Sequence, residues 1–398
     1  MISPAQALAR IFDLTPPQQT SETVALAAAG GRVLAEDIVA ARAQPPFAAS
    51  AMDGYAVRSE DATGGNWLRI IGGSIAGRGC DQPVRRNEAV RILTGAPVPE
   101  GADRIVIQED VFVDGDRIRI AENADRKNYV RAAGGDYPAG QKISANQPLN
   151  PALISMAAAM NVSQVVVWKR PVVSIIPTGD ELREPGCELK AHEITASSGY
   201  GLAAMLDKAG AESRLLPVAA DNRDSLVRSF KMAAHSDMIV SLGGASVGDR
   251  DLVAGVAAEL GMDLAFHNVA VRPGKPLLAG RLFDDPFVGL PGNPVSAMVC
   301  GRIFLVPAIH AMLHRGWKPP ERFRSPLAAP VSGNGIRQHY MRAELLNRDG
   351  QPMLRVFKRQ DSSLISVYCD ADALAVRPPQ DPARAEGEYL EYIPLNHY

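Results

Sequence analysis

At 398 residues the chain exceeds one ordinary domain, and 46% hydrophobic with 22% charged residues describes a multidomain globular protein rather than a disordered one. A formal net charge of −2 excludes broad electrostatic attraction to nucleic acid, so any bound anion must be held by local groups. Residues 1–20 lack the basic and apolar regions of a secretory signal. No apolar run reaches the length of a membrane span, so the expectation is a cytoplasmic protein without a membrane partner. Cys80, Cys187, Cys300 and Cys369 lie far apart with no CxxC pair, which argues against structural zinc and a disulfide framework.

The chain opens with helical spacing: Ala5, Leu8, Ala9 and Phe12 fall on one face, with Ser3 as N-cap and Pro4 at the first helical position. From 42 to 140 short apolar runs alternate with Gly, Pro and Asp, and RIVIQEDVFV, DGD and RIRI read as hairpins of a β-rich module. A second helix fits 151–161, beginning at Pro151, so the β module sits between two helical pieces. From 171 strands and helices alternate: PVVSII, GYGLAAMLDKAG, SRLLPVA, SLVRSFKMAAH, DMIVSL, DLVAGVAAEL, then further strands and a helix from Pro294. Such alternation implies right-handed crossovers and a mainly parallel, helix-covered, doubly wound sheet. After WKPPERFRSP only short strands with turn signals remain, which fits a small β barrel or sandwich.

Ligands of open α/β sheets bind beyond the carboxyl ends of the strands. Three such ends carry unusual loops. PVVSIIPTGDEL brings out Thr178, Gly179, Asp180 and Glu181. SLGGASVGDRD offers Gly243, Gly244 and Gly248 for close backbone approach, with Ser246 between them as a substrate-contact candidate and Asp249 and Asp251 following. VGLPGNPVSA contributes Pro291, Asn293 as an expected N-cap, and Pro294. Amides and helix dipoles receive phosphate while carboxylates hold a hard cation, so the mixture suits a phosphorylated ligand bridged by Mg²⁺. Taken singly, each loop has a plainer reading: Asp249 and Asp251 could cap a helix, and paired glycines serve any tight turn. Coincidence of the three favours a site. VRPGKP adds Arg272 and Lys275 about a Pro-Gly turn, a pattern that by itself is more often a solvated turn than an oxyanion clamp. In the N-terminal half, PPFAASAMDGYAV and RILTGAPVPEGAD read on physics alone as turn chemistry around Asp53-Gly54 and Asp103.

These segments, with NYVRAAGGD at 128–136, stand in the order and spacing of the molybdopterin molybdenumtransferase family, which the chain resembles over nearly its whole length. The resemblance implies an elongated helical subdomain from 1–41 with 140–168, an inserted β module at 42–139, an α/β domain at 169–318 and a C-terminal β barrel at 319–398. It implies insertion of molybdate into adenylylated molybdopterin with Mg²⁺-dependent release of AMP. By position it assigns Asp53, Thr94, Glu181 and Asp251 to catalysis, and Glu181, Asp249 and Asp251 to the metal. By the same matching, substrate contacts fall to Asp136, Asp221, Arg272, Lys275, Pro291, Pro294 and Ser362, and the strand-end loops read above add Thr178, Gly179, Asp180, Gly243, Gly244 and Ser246. It further implies a homodimer in which Asp53 and Thr94 of one protomer face Glu181 and Asp251 of the other. Molybdopterin adenylyltransferase and proteins that mature molybdoenzymes are the implied partners. Three positions depart from the family pattern, Ala48, Ser198 and Asn268, and bear on oxyanion contacts. A molybdopterin adenylyltransferase would resemble only 171–318, and the other regions argue against it. A non-catalytic scaffold like gephyrin is disfavoured by the retained carboxylates.

Overall fold

The structure is a computed structural model, and it describes residues 1–244, 252–348 and 350–395. At its centre the strand Val172–Pro177 pairs in parallel with Glu212–Leu215 on one side and Met238–Leu242 on the other. Met238–Leu242 in turn pairs in parallel with Asp285–Leu290. Leu278–Leu282 and Asp263–His267 complete the six-stranded sheet as antiparallel neighbours. Helices cover both faces, which is why MIVSL is buried at every position instead of alternating. Successive side chains still point to opposite faces. Ile175 joins the cluster with Leu202, Phe304 and Ile309, whereas Ile176 joins Leu226, Phe230 and Val253. On the second face Phe230 meets Phe287 edge-on at 5.6 Å.

The helix from Pro294 runs to Met312, with a π turn at Gly301–Leu305 directly before Pro307. Proline lacks the N–H that an α turn needs, and a widened turn accommodates the interruption. Contrary to the expectation that no apolar stretch is long enough, Pro294–Met312 has the length and hydropathy of a membrane span. Its apolar surface is used internally: 89% of the most hydrophobic window is buried inside the molecule.

The opening helix Pro4–Leu14 has the expected Ser3 cap, completed by Gln6 into a capping box. Its buried face (Leu8, Ile11, Phe12) belongs to the α/β core and not to the flanking pieces. Those pieces join mainly through strands. Ser21–Ala25 pairs with Gln164–Trp168, and Ile38–Val39 with Lys142–Ile143, around a cluster that includes Leu34, Leu149 and Ala157. The only helix longer than one turn in this part is Pro151–Ala159, capped by Asn150. Between the pieces lies a six-stranded sheet ordered Arg104–Ile107, Gly54–Val57, Glu88–Ile92, Trp67–Ser74, Arg117–Ile120 and Val111–Asp114. Gly54 must be glycine, since a Cβ would strike the Val106 carbonyl of the neighbouring strand.

In the C-terminal part, Phe323–Pro326 pairs with Tyr389–Pro394, which pairs with Ala373–Arg377, then Gln338–Arg348 and Gln351–Val356. A bridge between Leu327 and Leu354 brings the last strand back to the first. Val271–Arg272, at the start of RPGKP, adds in parallel to Gln338–His339, so the presumed free turn is anchored to this sheet.

Candidate functional site at the strand ends

Where Val172–Pro177, Met238–Leu242 and Asp285–Leu290 end side by side, the structure opens a cavity of about 570 Å³. The close approach that glycine permits shapes its floor. Gly243 has φ +103, and a Cβ there would lie 2.7 Å from both the carbonyl oxygen and the hydroxyl of Thr178. Thr178 hands its backbone N–H and its hydroxyl to the Leu242 carbonyl, at 2.9 and 3.2 Å, tying the first two strand ends together. Gly243 N–H donates to the Leu290 carbonyl at 3.0 Å and ties in the third.

Of the residues expected at this site, Thr178, Gly179, Glu181, Asp221, Gly243, Gly244, Pro291 and Pro294 all line the cavity. Asp180 stands behind it, its Oδ1 accepting from the Asp221 N–H at 2.9 Å. Ser246, Asp249 and Asp251 lie outside the described residues. Ile194, Thr195 and Ser197, which form a wall with Ser198, went unread as a site, although the small-residue run TASSG before a helix was their signal. Ser198, one of the departures from the family pattern, is therefore a lining residue.

Asp180, Glu181 and Asp221 form an acidic group. Partial burial pushes the Asp221 carboxyl above its ordinary range, and the charges of Asp180 and Glu181 push the same way, against a backbone hydrogen bond from Asp180. A carboxyl raised in the folded state contributes stability below its unfolded pKa, and that contribution is lost as pH rises through the folded value. At neutral pH the ionised Asp221 is consequently a local cost. Asp221→Asn is expected to raise the melting temperature at pH 7, with the gain over wild type vanishing near pH 4; a lower melting temperature at pH 7 would contradict this.

All-oxygen donors suit a hard divalent ion, and mutual repulsion among the carboxylates is what such an ion relieves. Among the described residues no group of three His, Cys, Asp or Glu side chains is gathered tightly enough to enclose a metal.

Asn293 occupies the N-cap position of the Pro294 helix, but its side chain does not cap it. Its Nδ2 instead donates to the Ser362 hydroxyl at 3.2 Å, and the Ser362 carbonyl accepts the Val295 N–H at 3.1 Å. A turn of the C-terminal part thus supplies the cap, which puts Ser362 beside the cavity residue Asn293. Pro276 brings the RPGKP turn to the cavity wall. Arg272 and Lys275 are exposed and have no ion-pair partner among the described residues. Beneath Arg272, Arg342 is fully buried with Nε and Nη1 unpartnered, and the adjoining His339 leaves Nε2 unpartnered. Burial first, then Arg272 and Arg342, pushes His339 down to about 3, so its ring is neutral and the unmet donors of this layer are Arg342 Nε and Nη1. Asn268 sits at φ +68, a left-handed position that asparagine tolerates better than lysine, which accounts for the residue there.

The N-terminal segments, turn-like in sequence, are joined to one another. Ser50 N–H donates to Ala96 and Gly95 N–H to Ser50, while Val130–Arg131 pairs with Ala49–Ser50. Thr94 donates its N–H and hydroxyl to Asp53 Oδ1 at 2.7 and 2.8 Å, and these two bonds hold the Asp53 carboxyl below the usual range. Asp136 instead lines a separate hollow with Tyr137, Ser155 and Met156. None of Asp53, Thr94 and Asp136 lines the strand-end cavity, whose walls all come from residues 177–294. Ala48 belongs to the joined segments, its carbonyl accepting from Val98.

Three family models account for most of the chain: MoeA N-terminal region (domain I and II) over 2–161, probable molybdopterin binding domain over 174–311, and MoeA C-terminal region (domain IV) over 324–395. A molybdopterin molybdenumtransferase of Haemophilus influenzae is 30% identical over 402 residues, covering 100% of this chain and 99% of that protein. One from Nostoc is 38% identical over 78% of this chain and 74% of its own length. The crystal structure of a molybdopterin biosynthesis moea protein from Pyrococcus horikosii superposes with a TM-score of 0.83 at 28% identity, covering 100% of both chains. Full-length likeness of sequence and fold together means that the chain belongs to the molybdopterin molybdenumtransferase family.

Proposed function

We propose that the protein inserts molybdate into adenylylated molybdopterin, releasing AMP and completing the molybdenum cofactor. The observation that carries this reading is the strand-end cavity, which gathers Glu181, Asp221, Gly243 and the start of the Pro294 helix in one place. Its size is in the range of small-molecule sites, about 300–1,000 Å³. In this reading the phosphate of the substrate lies against the glycine-lined strand ends, with Thr178 fixing their spacing. Glu181 and Asp221, with Asp249 and Asp251 of the neighbouring loop, would hold Mg²⁺, which supplies charge neutralisation at the phosphate. Arg272 and Lys275 receive molybdate, supported by the unmet donors of Arg342 beneath them. Ser362 completes the rim. Asp53 and Thr94 act on the same substrate from a second protomer, and Asp136 lies along that approach.

The proposed division is a flanking subdomain of 1–41 with 140–168, whose opening helix Pro4–Leu14 docks on the α/β core, an inserted module at 42–139, an α/β domain at 169–318 and a barrel at 319–398. We place the protein in the cytoplasm as a homodimer, receiving its substrate from a molybdopterin adenylyltransferase and passing the product to proteins that mature molybdoenzymes. Purified protein incubated with adenylylated molybdopterin, Mg²⁺ and molybdate should release AMP and yield active cofactor. Absence of both products would sink the proposal, and pyrophosphate release from ATP would replace it with adenylyl transfer. Arg272→Ala should raise the molybdate concentration for half-maximal rate by about tenfold, the scale of one charged hydrogen bond. An unchanged molybdate dependence would remove Arg272 from the oxyanion path.

A further inference from the structure

We propose that a second cavity, at the far end of the Pro294–Met312 helix, binds a small phosphomonoester. The cavity measures about 330 Å³ and is lined by residues between Arg302 and Pro394. It shares no lining residue with the strand-end cavity. The helix rises about 1.5 Å per residue, so His310 stands about 24 Å from Pro294. Among the described residues three cations line the second cavity, Arg302, Arg315 and Lys318, against one carboxylate, Glu321. Glu321 is exposed and forms no ion pair with any of them among the described residues.

The donors are fixed in different ways. Arg302 is buried and anchored, its Nε and Nη2 donating to the Pro394 carbonyl at 3.3 and 3.0 Å. Arg315 is partly buried, and its guanidinium makes no ion pair or side-chain hydrogen bond among the described residues. His310 lines the same space with Nε2 buried and unpartnered. Burial, then Arg315 and Arg302, pushes its pKa down to about 3, so the ring is neutral and can offer one N–H. Partly desolvated guanidinium without a counter-ion is costly, and a dianionic phosphate is the group whose oxygens match such a fork of donors. A bare phosphate would leave most of this volume unused. The remaining wall is apolar, built by Val306, Pro307, Pro319, Pro320 and Phe323, and would cover an organic group esterified to the phosphate.

Titration calorimetry on the full chain, with phenyl phosphate and inorganic phosphate as probes, tests this. Phenyl phosphate should bind saturably and several-fold more tightly than inorganic phosphate. Arg315→Gln should weaken phenyl phosphate at least tenfold while AMP release at the strand-end cavity stays unchanged. Lys318→Gln, at an exposed side chain that cannot compromise folding, should weaken it several-fold and serves if the Arg315 variant does not fold. No saturable binding to wild type, equal affinity for the two probes, or unaltered affinity in the folded variants would each overturn the proposal.

Discussion

Glu181→Gln is expected to leave a folded protein whose AMP release falls by about 100-fold or more, the scale of a lost metal-bound carboxylate or acid-base group. The side chain is exposed at the cavity mouth and has no ion pair among the described residues, so the fold loses nothing with its charge. The nearby Asp221 carboxylate gains when that charge is removed, since Glu181 is one of the causes that raise it. The melting temperature should therefore hold or rise slightly while turnover collapses. A second readout separates chemistry from packing: the Asp221 carboxyl, followed by carbon NMR through a pH titration, should move back towards its ordinary value. Normal turnover per folded molecule would show that Glu181 is only a solvated loop carboxylate.

Glu181 was legible in the sequence because an apolar strand, a glycine and two acids follow one another within a single local segment, and strand-end loops are where α/β sheets bind ligands. The helix cap at Ser3 was legible for the same reason, being an interaction over three residues, whereas the Asn150 cap of the second helix went unread. Asn293 misled because the residue that satisfies the helix start, Ser362, is 69 positions away, in a turn of the C-terminal part. Likewise RPGKP looked like a solvated turn because its partner strand begins at Gln338. The opening helix showed an apolar face but not what covers it; Ile11 and Phe12 pack in the α/β core rather than with the segments next to them in sequence. Arg342 could not be recognised as buried, since a lone arginine in an alternating strand reads as solvent-facing. Periodicity names the element and its apolar side, while long-range pairing decides which site a residue joins.

The same limit governs Asp53, and it leads to the second large effect. Within one chain the Asp53 and Thr94 pair does not reach the strand-end cavity, yet Thr94 holds Asp53 ionised on a partly exposed loop beside exposed Met52. If a second protomer supplies this pair, Asp53→Asn and Glu181→Gln chains should each be inactive alone and complement each other when mixed. Asparagine keeps an Oδ1 that can still accept from Thr94, so the first variant retains its local fold. Chains unfolded together and refolded as an equal random mixture should give half mixed dimers. In each mixed dimer one cleft carries both substitutions and the other carries neither, so about a quarter of wild-type activity should return. A site built wholly within one protomer predicts a different result, because every cleft then keeps one defect. Mixed dimers verified by mass spectrometry that remain inactive would exclude the shared cleft. Recovery near one quarter would assign Asp53 and Glu181 to opposite sides of one active site, with the turn-rich N-terminal segments serving as the arm that carries Asp53 across.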